Sequence, residues 1–226
     1  MCISDSDWSD RNTAVLFGDG AGAVVIEESK NKSDGEIYSF SNGLSSDNLE
    51  ILEIPNFGSA MDRFNPDEAA RVRWTFDGQE IFKSGVRAMA QASAEAIEKS
   101  GLSKEDVDIF IPHQANIRIV EALEKKLGLP NATTIKKVHR YGNTSAASIP
   151  TAFVDALEEG EIKGGEIAVF TAVGAGLAWG ACAVRLGDRV TPINKSDAKL
   201  PDFDGTATDT IKRAIEYQVP DKLDKI

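Results

Sequence analysis

The chain has 226 residues, 42% of them hydrophobic and 27% charged, which allows a well-buried core in one large domain or two small ones. The formal net charge of −11 argues against nucleic acid or an anionic membrane surface as a general partner. Cys2 and Cys182 lie far apart and lack metal-ligand spacing, so we expect two free thiols in a reducing cytoplasm. The polar first residues, MCISDSDWSD, are not expected to act as a signal peptide.

The N-terminal part of the sequence predicts strands, then loops and a long helix. We predict strands over TAVLF (13–17), AVVIEE (23–28) and GEIYSFS (35–41). The first two are separated by the glycine-rich turn GDGAGA (18–23), and a polar stretch from Asn42 to about Trp74 predicts loops. From Gln79 to Ser100 the apolar residues recur at helical spacing.

The rest of the sequence continues to alternate strand and helix patterns. We predict strands over VDIFIP (107–112) and TTIKKV (133–138), and helices over ANIRIVEALEKKLG (115–128) and SAASIPTAFVDALEEG (145–160). The uncharged run from 167 to 184 has nearly the length of a membrane-spanning helix, but its glycines favour two buried strands joined at VGAG. From Gly187 the chain is polar, and TDTIKRAIEYQ (208–218) predicts a short helix capped by Thr208 or Asp209. This order of elements predicts an α/β layered domain with helices packed on a largely parallel or mixed sheet.

His113 and Asn143 are the candidate catalytic side chains. Each follows a predicted strand and precedes a predicted helix, the position at which α/β folds gather their sites. Asn116 lies at the start of the helix that follows His113. An imidazole and a carboxamide together suit polarising a carbonyl oxygen or stabilising an enolate.

Other chemical interpretations of the polar motifs are weaker. GDGAGA runs into a predicted strand rather than a helix, which favours a structural turn with close backbone approach over a phosphate loop. A metal site is not expected, because His139 lies in a basic stretch and no acidic cluster has ligand spacing. Ser145 and Ser148 lie outside any GxSxG motif, so we expect them to help start a helix rather than to serve a hydrolase triad.

The motifs DWSDRNTAVLFGDGAGAVVIE, IPHQANIRI, RYGNTSAASIPTA and VGAGLAWGACAVRL, in this order, resemble the β-ketoacyl-acyl carrier protein synthase III enzymes of the thiolase superfamily. The resemblance implies a thiolase-like layered fold, αβαβα in the full family. Residues 1–40 would end the first half, 41–186 would form the complete second half, and 187–226 would be a tail or linker. It implies decarboxylative Claisen condensation of acyl-CoA with malonyl-acyl carrier protein in fatty acid initiation, with acyl-CoA as substrate and no cofactor. The implied assembly is a homodimer or an association with a chain that supplies the first half.

The resemblance also implies roles for single residues. His113 of PHQAN and Asn143 of GNTS would bind the malonyl thioester oxygen as carbon dioxide leaves, and the backbone of Ala175 would serve an oxyanion hole. The implied substrate contacts are Arg11 with the CoA nucleotide, Gly78 and Asn116 with pantetheine, and Phe82 with the acyl chain. The implied docking residues for the acidic carrier protein are Lys83, Gln114, Arg118, Lys125 and Lys126. For the lysines, a solvated helix face is the alternative.

The sequence also departs from the family pattern. Gln79 replaces a common Asn, and Val173 stands where Phe is frequent. The family nucleophile lies in an AACxGF-like segment, which nothing in this chain matches, and neither Cys2 nor Cys182 is expected to replace it. We therefore expect the isolated chain to be inactive in condensation. The alternative hypothesis is a non-catalytic partner or remnant that binds CoA or acyl carrier protein.

Overall fold

The computed structural model describes residues 10–47, 49–54 and 75–190, together with 205, 206, 208, 209, 212 and 213. The strands are β1 (Glu36–Leu44), β2 (Leu52–Glu53), β3 (Thr75–Phe76), β4 (Ile109–Pro112), β5 (Thr133–Thr134), β6 (Ile167–Gly174) and β7 (Ala178–Arg185). The α-helices are α1 (Arg11–Ala14), α2 (Gly78–Lys99), α3 (Ile117–Leu127), α4 (Val138–Tyr141) and α5 (Ser148–Glu158). In this part of the chain, no helix combines the length and the apolar character needed to cross a membrane.

A five-stranded mixed sheet with the order β1-β7-β6-β4-β5 forms the centre of the fold. β4 runs parallel to β5 and β6, whereas β7 runs antiparallel to both β6 and β1. The uncharged run 167–184 forms β6 and β7, which confirms two strands joined at VGAG. The predicted α/β class with a mixed sheet is confirmed as well.

Helices α2 and α3 cover one face of the sheet, as their apolar spacing predicts. The Asp77 side chain caps α2, and α3 ends at Gly128, whose φ of 57° is a conformation that glycine adopts at low cost. The core on this face consists of Val86, Met89, Ala90, Ile97, Val107, Phe110, Ile119, Leu123, Leu127, Val169 and Ala183. Because side chains alternate along a strand, the neighbours of Phe110 in β4 point to the other face.

Helix α5 packs on that second face. The core there consists of Ile109, Ile111, Ile135, Ala152, Ala156, Ile162, Ala168 and Leu186. All four residues of β4 are buried, since the strand carries helices on both faces and needs apolar side chains on both. Packing of α5 at this place brings its first residue next to the carboxyl end of β4, where His113 follows Pro112.

The prediction of strands over TAVLF and AVVIEE is wrong. The Asp10 side chain accepts the N–H of Asn12 and thereby caps α1, which takes the first residues of TAVLF into a helix. Residues 21–30 have no regular secondary structure, and Val25 is 90% exposed. A strand needs a paired neighbour, and the described residues supply none for this segment.

Two further predictions are corrected in their limits. The strand predicted over TTIKKV includes only Thr133–Thr134, because the Lys137 N–H leaves the sheet to donate to Gln114 Oε1 and α4 begins at Val138. In the tail, residues 208, 209, 212 and 213 are helical, but the Thr206 hydroxyl and N–H bond the Asp209 carboxylate. This reciprocal pairing makes Thr206 the cap, instead of the predicted Thr208 or Asp209.

Candidate active site

His113 lies at the carboxyl end of β4, beside the first residue of α5. Its backbone N–H donates to the Thr171 carbonyl of β6 at 2.7 Å, which continues the β4–β6 pairing past Pro112. Its imidazole Nδ1 lies 2.6 Å from Ser148 Oγ. The ring is therefore fixed at one nitrogen by α5, and Nε2 is the nitrogen left for a substrate.

Burial sets the charge of His113. It lowers the pKa of the imidazole from 6.5 to about 4, since a buried ring loses the water that would stabilise its cation. At neutral pH the ring is uncharged and carries one N–H. It can therefore act as a hydrogen-bond donor without bringing a positive charge.

Asn143 is held by its backbone and its side chain at once. Its N–H donates to the Leu16 carbonyl at 2.9 Å, and its carbonyl accepts the Gly18 N–H at 3.0 Å, an isolated parallel bridge centred on Phe17. Its Oδ1 accepts the Ser145 N–H at 2.9 Å. Because the amide oxygen is engaged, the Nδ2 group is the part of the side chain available to a ligand.

The two predicted catalytic residues flank the N-terminal end of α5. Asn143 lies just before this helix, and Ser148, the first helical residue, contacts His113. The structure thus brings the imidazole and the loop that carries the carboxamide to one place, although they are 30 residues apart in sequence. The contact between Ser148 and His113 was not predicted from the sequence, because Ser148 was expected only to help start a helix.

The glycines of GDGAGA permit close contact with the segment between α4 and α5, residues 142–147, here called the Asn143 loop, and with the two helices beside it. A Cβ atom on Gly18 would lie 1.9 Å from the Tyr141 carbonyl oxygen, and one on Gly22 would lie 2.4 Å from Pro150 Cγ. No Cβ atom fits at those distances, so the glycine-rich segment can lie against the Tyr141 backbone and the Pro150 ring only because glycine occupies these positions. The structural interpretation of this motif therefore agrees with the structure.

Gln114 is a correction to the predicted docking set. It is only 2% exposed, so it cannot contact a carrier protein. Its Nε2 donates to the carbonyls of Pro112 and Ile135, and its Oε1 accepts the Lys137 N–H. The side chain instead ties the end of β4 to the connection that leads to α4.

A buried lysine anchors the same connection and was not predicted from the sequence. Lys137 Nζ lies 2.5 Å from Glu159 Oε2 and 3.1 Å from Glu161 Oε1, with its side chain 7% exposed. Burial alone would lower the pKa of Lys137, but its hydrogen bonds to the two glutamates outweigh that effect and raise it. The lysine therefore stays charged and paired, and it joins α4 to the residues that follow α5.

The predicted substrate contacts occupy several elements. Asn116 caps α3 through Oδ1, which accepts the Ile119 N–H at 3.0 Å, so of its amide group only Nδ2 remains for a ligand. Gly78 is the first residue of α2, and half-buried Phe82 packs against the core one turn later. Arg11 is exposed in α1, and Ala175 lies in the turn between β6 and β7.

The remaining docking candidates are solvent-exposed. Arg118, Lys125 and Lys126 lie on α3, and their side chains are free of the core. Lys83 lies on α2 and is 69% exposed, 3.6 Å from Glu80. An exposed pair of this kind contributes little to stability, so the lysine remains accessible to a partner.

Cys182 is a poor nucleophile. It lies in β7 opposite Phe170, and burial raises the pKa of its thiol, although a backbone hydrogen bond at Phe170 acts in the opposite direction. Cys2 lies outside the described residues. Within the described ranges, no group of three His, Cys, Asp or Glu side chains could hold a metal ion.

Comparisons with known proteins agree on one family. The model of the 3-oxoacyl-[acyl-carrier-protein (ACP)] synthase III C terminal matches residues 97–186, and the 3-oxoacyl-[acyl-carrier-protein (ACP)] synthase III model matches residues 3–45. Beta-ketoacyl-[acyl-carrier-protein] synthase III 2 of Vibrio cholerae is 48% identical over 216 residues, which cover 93% of this chain and 58% of that protein. The synthase III of Bacillus pumilus is 48% identical over 183 residues, 80% of this chain and 53% of that protein. The chain thus spans a little over half the length of these relatives.

Solved structures that are similar to this chain are synthases of the same type. The chain is similar to the 3-oxoacyl-[acyl-carrier-protein] synthase III of Aquifex aeolicus, with 40% identity and a TM-score of 0.67 over 80% of this chain and 54% of that one. It is also similar to the corresponding synthase of Pseudomonas aeruginosa, with 32% identity and a TM-score of 0.71 over 81% of this chain and 54% of that one.

Gly18→Ala should disturb the Asn143 loop. The added methyl group meets the Tyr141 carbonyl, so one backbone must move, and we expect a loss of about 1–3 kcal/mol in the free energy of unfolding. Amide hydrogen exchange should also speed up at Asn143, whose N–H is bonded to Leu16. Gly174→Ala is the matched control, because a Cβ atom there meets nothing within 4 Å. If the two variants had the same free energy of unfolding and the same amide exchange rate at Asn143, the close approach of Gly18 to the Tyr141 carbonyl would be contradicted.

The low pKa of His113 should make stability depend on pH. Between its ordinary pKa of 6.5 and its folded pKa of about 4, the unfolded chain binds a proton at His113 that the folded chain does not. The free energy of unfolding should therefore fall as pH decreases through this window, by up to about 3 kcal/mol from this group. This dependence is measured by urea unfolding of wild type and His113→Gln between about pH 4 and pH 6.5. As the pH falls, the free energy of unfolding should decrease less in the variant than in wild type. An equal decrease in both proteins would refute the low pKa of His113.

Proposed function

This chain belongs to the 3-oxoacyl-[acyl-carrier-protein] synthase III family, and from that membership we propose that it forms the C-terminal part of a condensing enzyme. The proposed reaction is decarboxylative Claisen condensation of an acyl-CoA with malonyl-acyl carrier protein, the initiation step of fatty acid synthesis in the cytoplasm. The observation that carries the proposal is that a neutral His113, bound to the first residue of α5, and Asn143, whose Oδ1 is occupied and whose Nδ2 is left for a ligand, both lie at the N-terminal end of α5.

In the proposed mechanism, these two groups stabilise an enolate. As the carboxylate of the malonyl group leaves as carbon dioxide, its bonding electrons pass to the adjacent carbon and the thioester oxygen becomes anionic. His113 Nε2–H and Asn143 Nδ2–H donate to that oxygen. Neutral donors stabilise the anion without giving it a proton, so the carbon remains nucleophilic. It then attacks the acyl group carried by a cysteine, whose thiolate leaves.

The acylated cysteine is proposed to come from an AACxGF-like segment. Among the described residues, Cys182 has a raised thiol pKa and lies within the sheet, which argues against it. The backbone N–H of Ala175, in the turn after β6, is the proposed donor to the acyl carbonyl oxygen during attack. We therefore expect the 226-residue chain alone to be inactive in condensation.

Substrate binding is proposed along the same edge. Asn116 Nδ2 would bind pantetheine, because Oδ1 is occupied as a helix cap. Gly78 and Phe82 would line the channel at the start of α2, and Arg11 would contact the nucleotide. Association with a second chain or a second copy is supported by the exposure of Val24, Val25 and Ile26.

A non-catalytic module that binds CoA or carrier protein is the second candidate. The exposed cations of α3, Arg118, Lys125 and Lys126, favour it as well as the enzyme, since an acidic partner suits them in both cases. Only the enzyme requires a neutral imidazole at His113 together with an oriented carboxamide at Asn143. The two candidates therefore differ in the role of His113 and Asn143.

A chimera distinguishes the condensing enzyme from the non-catalytic binding module. The segment of the Vibrio cholerae relative that precedes the matched region is fused in front of this chain, and condensation of acyl-CoA with malonyl-acyl carrier protein is measured. We expect turnover by the chimera and none by the chain alone. In the chimera, His113→Gln and Asn143→Ala should each lower kcat by about a hundred- to a thousandfold, whereas His139→Gln, on exposed α4, should keep the parent rate. A folded chimera that binds carrier protein without turnover would support the binding module.

The docking proposal has its own test in the same chimera. Lys125→Gln together with Lys126→Gln should raise KM for malonyl-acyl carrier protein by about three- to tenfold without lowering kcat, since each exposed ion pair contributes modestly. The effect should shrink at high salt. Lys163→Gln, an exposed lysine away from α3, is the matched control. An unchanged KM would mean that the α3 lysines form only a solvated face.

A further inference from the structure

We infer that Ser148 is a positioning residue that holds the His113 imidazole in its Nε2–H tautomer and thereby makes it a ready-made donor. The inference deepens the proposed function, since it rests on His113 as a donor to the thioester oxygen. It concerns a residue that does not itself touch the substrate. The argument follows from the two contacts of the Ser148 hydroxyl.

The Ser148 hydroxyl is buried between two groups. It is 2% exposed, and its Oγ lies 2.6 Å from His113 Nδ1 and 3.3 Å from the Gln114 backbone nitrogen. The amide of Gln114 can only donate, so it takes a lone pair of the hydroxyl oxygen. The hydroxyl proton is then directed to the remaining neighbour.

That neighbour is the imidazole Nδ1. A buried hydroxyl that donates to nothing loses the hydrogen bond that it would make to water, so donation to Nδ1 is strongly favoured. A nitrogen that accepts a hydrogen bond carries no proton, and the single proton of the neutral ring must then lie on Nε2. The serine thus selects the tautomer whose N–H faces away from α5.

Burial and the hydroxyl have separate effects on the ring. Burial lowers the pKa of His113 and keeps the imidazole neutral, whereas the Ser148 hydroxyl decides which nitrogen holds the proton. The position of Ser148 is fixed because it is the first residue of the 11-residue helix α5.

Nuclear magnetic resonance of the full 226-residue chain tests the inference without any substrate. The chain has only two histidines, so ¹⁵N-labelled histidine gives a simple spectrum, and His139→Gln assigns it. We expect wild-type His113 at neutral pH to show an unprotonated Nδ1 and a protonated Nε2. In Ser148→Ala, the Nδ1 resonance should shift toward that of a protonated nitrogen as the second tautomer becomes populated.

Two further variants keep the result interpretable. Ser148→Cys retains a side chain of similar shape with a weaker donor, so its Nδ1 resonance should fall between those of wild type and Ser148→Ala. Thr151→Val removes a hydroxyl that donates to the Ala147 carbonyl in the same helix and should leave the His113 spectrum unchanged. A wild-type Nδ1 that is protonated, or a Ser148→Ala spectrum identical to wild type, would overturn the inference.

Activity of the chimera links the tautomer to the reaction. Ser148→Ala should lower kcat by about tenfold or more at nearly constant KM, because part of the enzyme would present the wrong nitrogen. A Ser148→Ala chimera that matches the Thr151→Val chimera in kcat would refute the positioning role. If the parent chimera has no activity, the proposed function fails, whereas the tautomer itself is still decided by the spectra.

Discussion

The N-terminal end of α5 is the constraint on which the candidate site depends. Its first residue, Ser148, binds the imidazole of His113, and the segment just before it carries Asn143. Any change in the position of α5 therefore moves both polar groups. The buried face of α5 fixes that position, since Ala152 and Ala156 pack on the sheet with almost no exposed surface. Small side chains at these two positions let the helix lie close to β4, where the histidine is.

The two candidate donors, His113 and Asn143, carry no charge. The imidazole is neutral because burial lowers its pKa, and the carboxamide has no charge to lose. The buried cation of Lys137 is neutralised by Glu159 and Glu161 rather than directed at the pair. Two uncharged hydrogen-bond donors can stabilise a negative charge without supplying a proton, which is what the proposed condensation requires of them.

The elements that the sequence predicted correctly are those whose structure is determined by residues close to them in the sequence. The helices at 78–99 and 117–127 follow from apolar spacing and from caps within a few residues, and the place of His113 follows from the buried strand before it. Asn143 was expected after a strand but follows the short helix α4, and its catalytic role, like that of His113, stays a prediction. The strand pattern of AVVIEE failed because it reports propensity, not the presence of a partner strand. The roles of Gln114 and Ser148 depend on contacts with residues 23 and 35 positions away, which no short pattern contains.

The contact between Gly18 and the Asn143 loop shows why such a site needs distant segments. One family model matches residues 3–45 and the other matches 97–186, and this contact joins the two matched regions. The carboxamide is oriented by Ser145 on its own side, but its backbone is fixed by the glycine-rich loop on the other. Glycine is required there because the loop approaches the Tyr141 carbonyl too closely for any Cβ atom. The glycines therefore help to fix the backbone from which Asn143 presents its Nδ2 group.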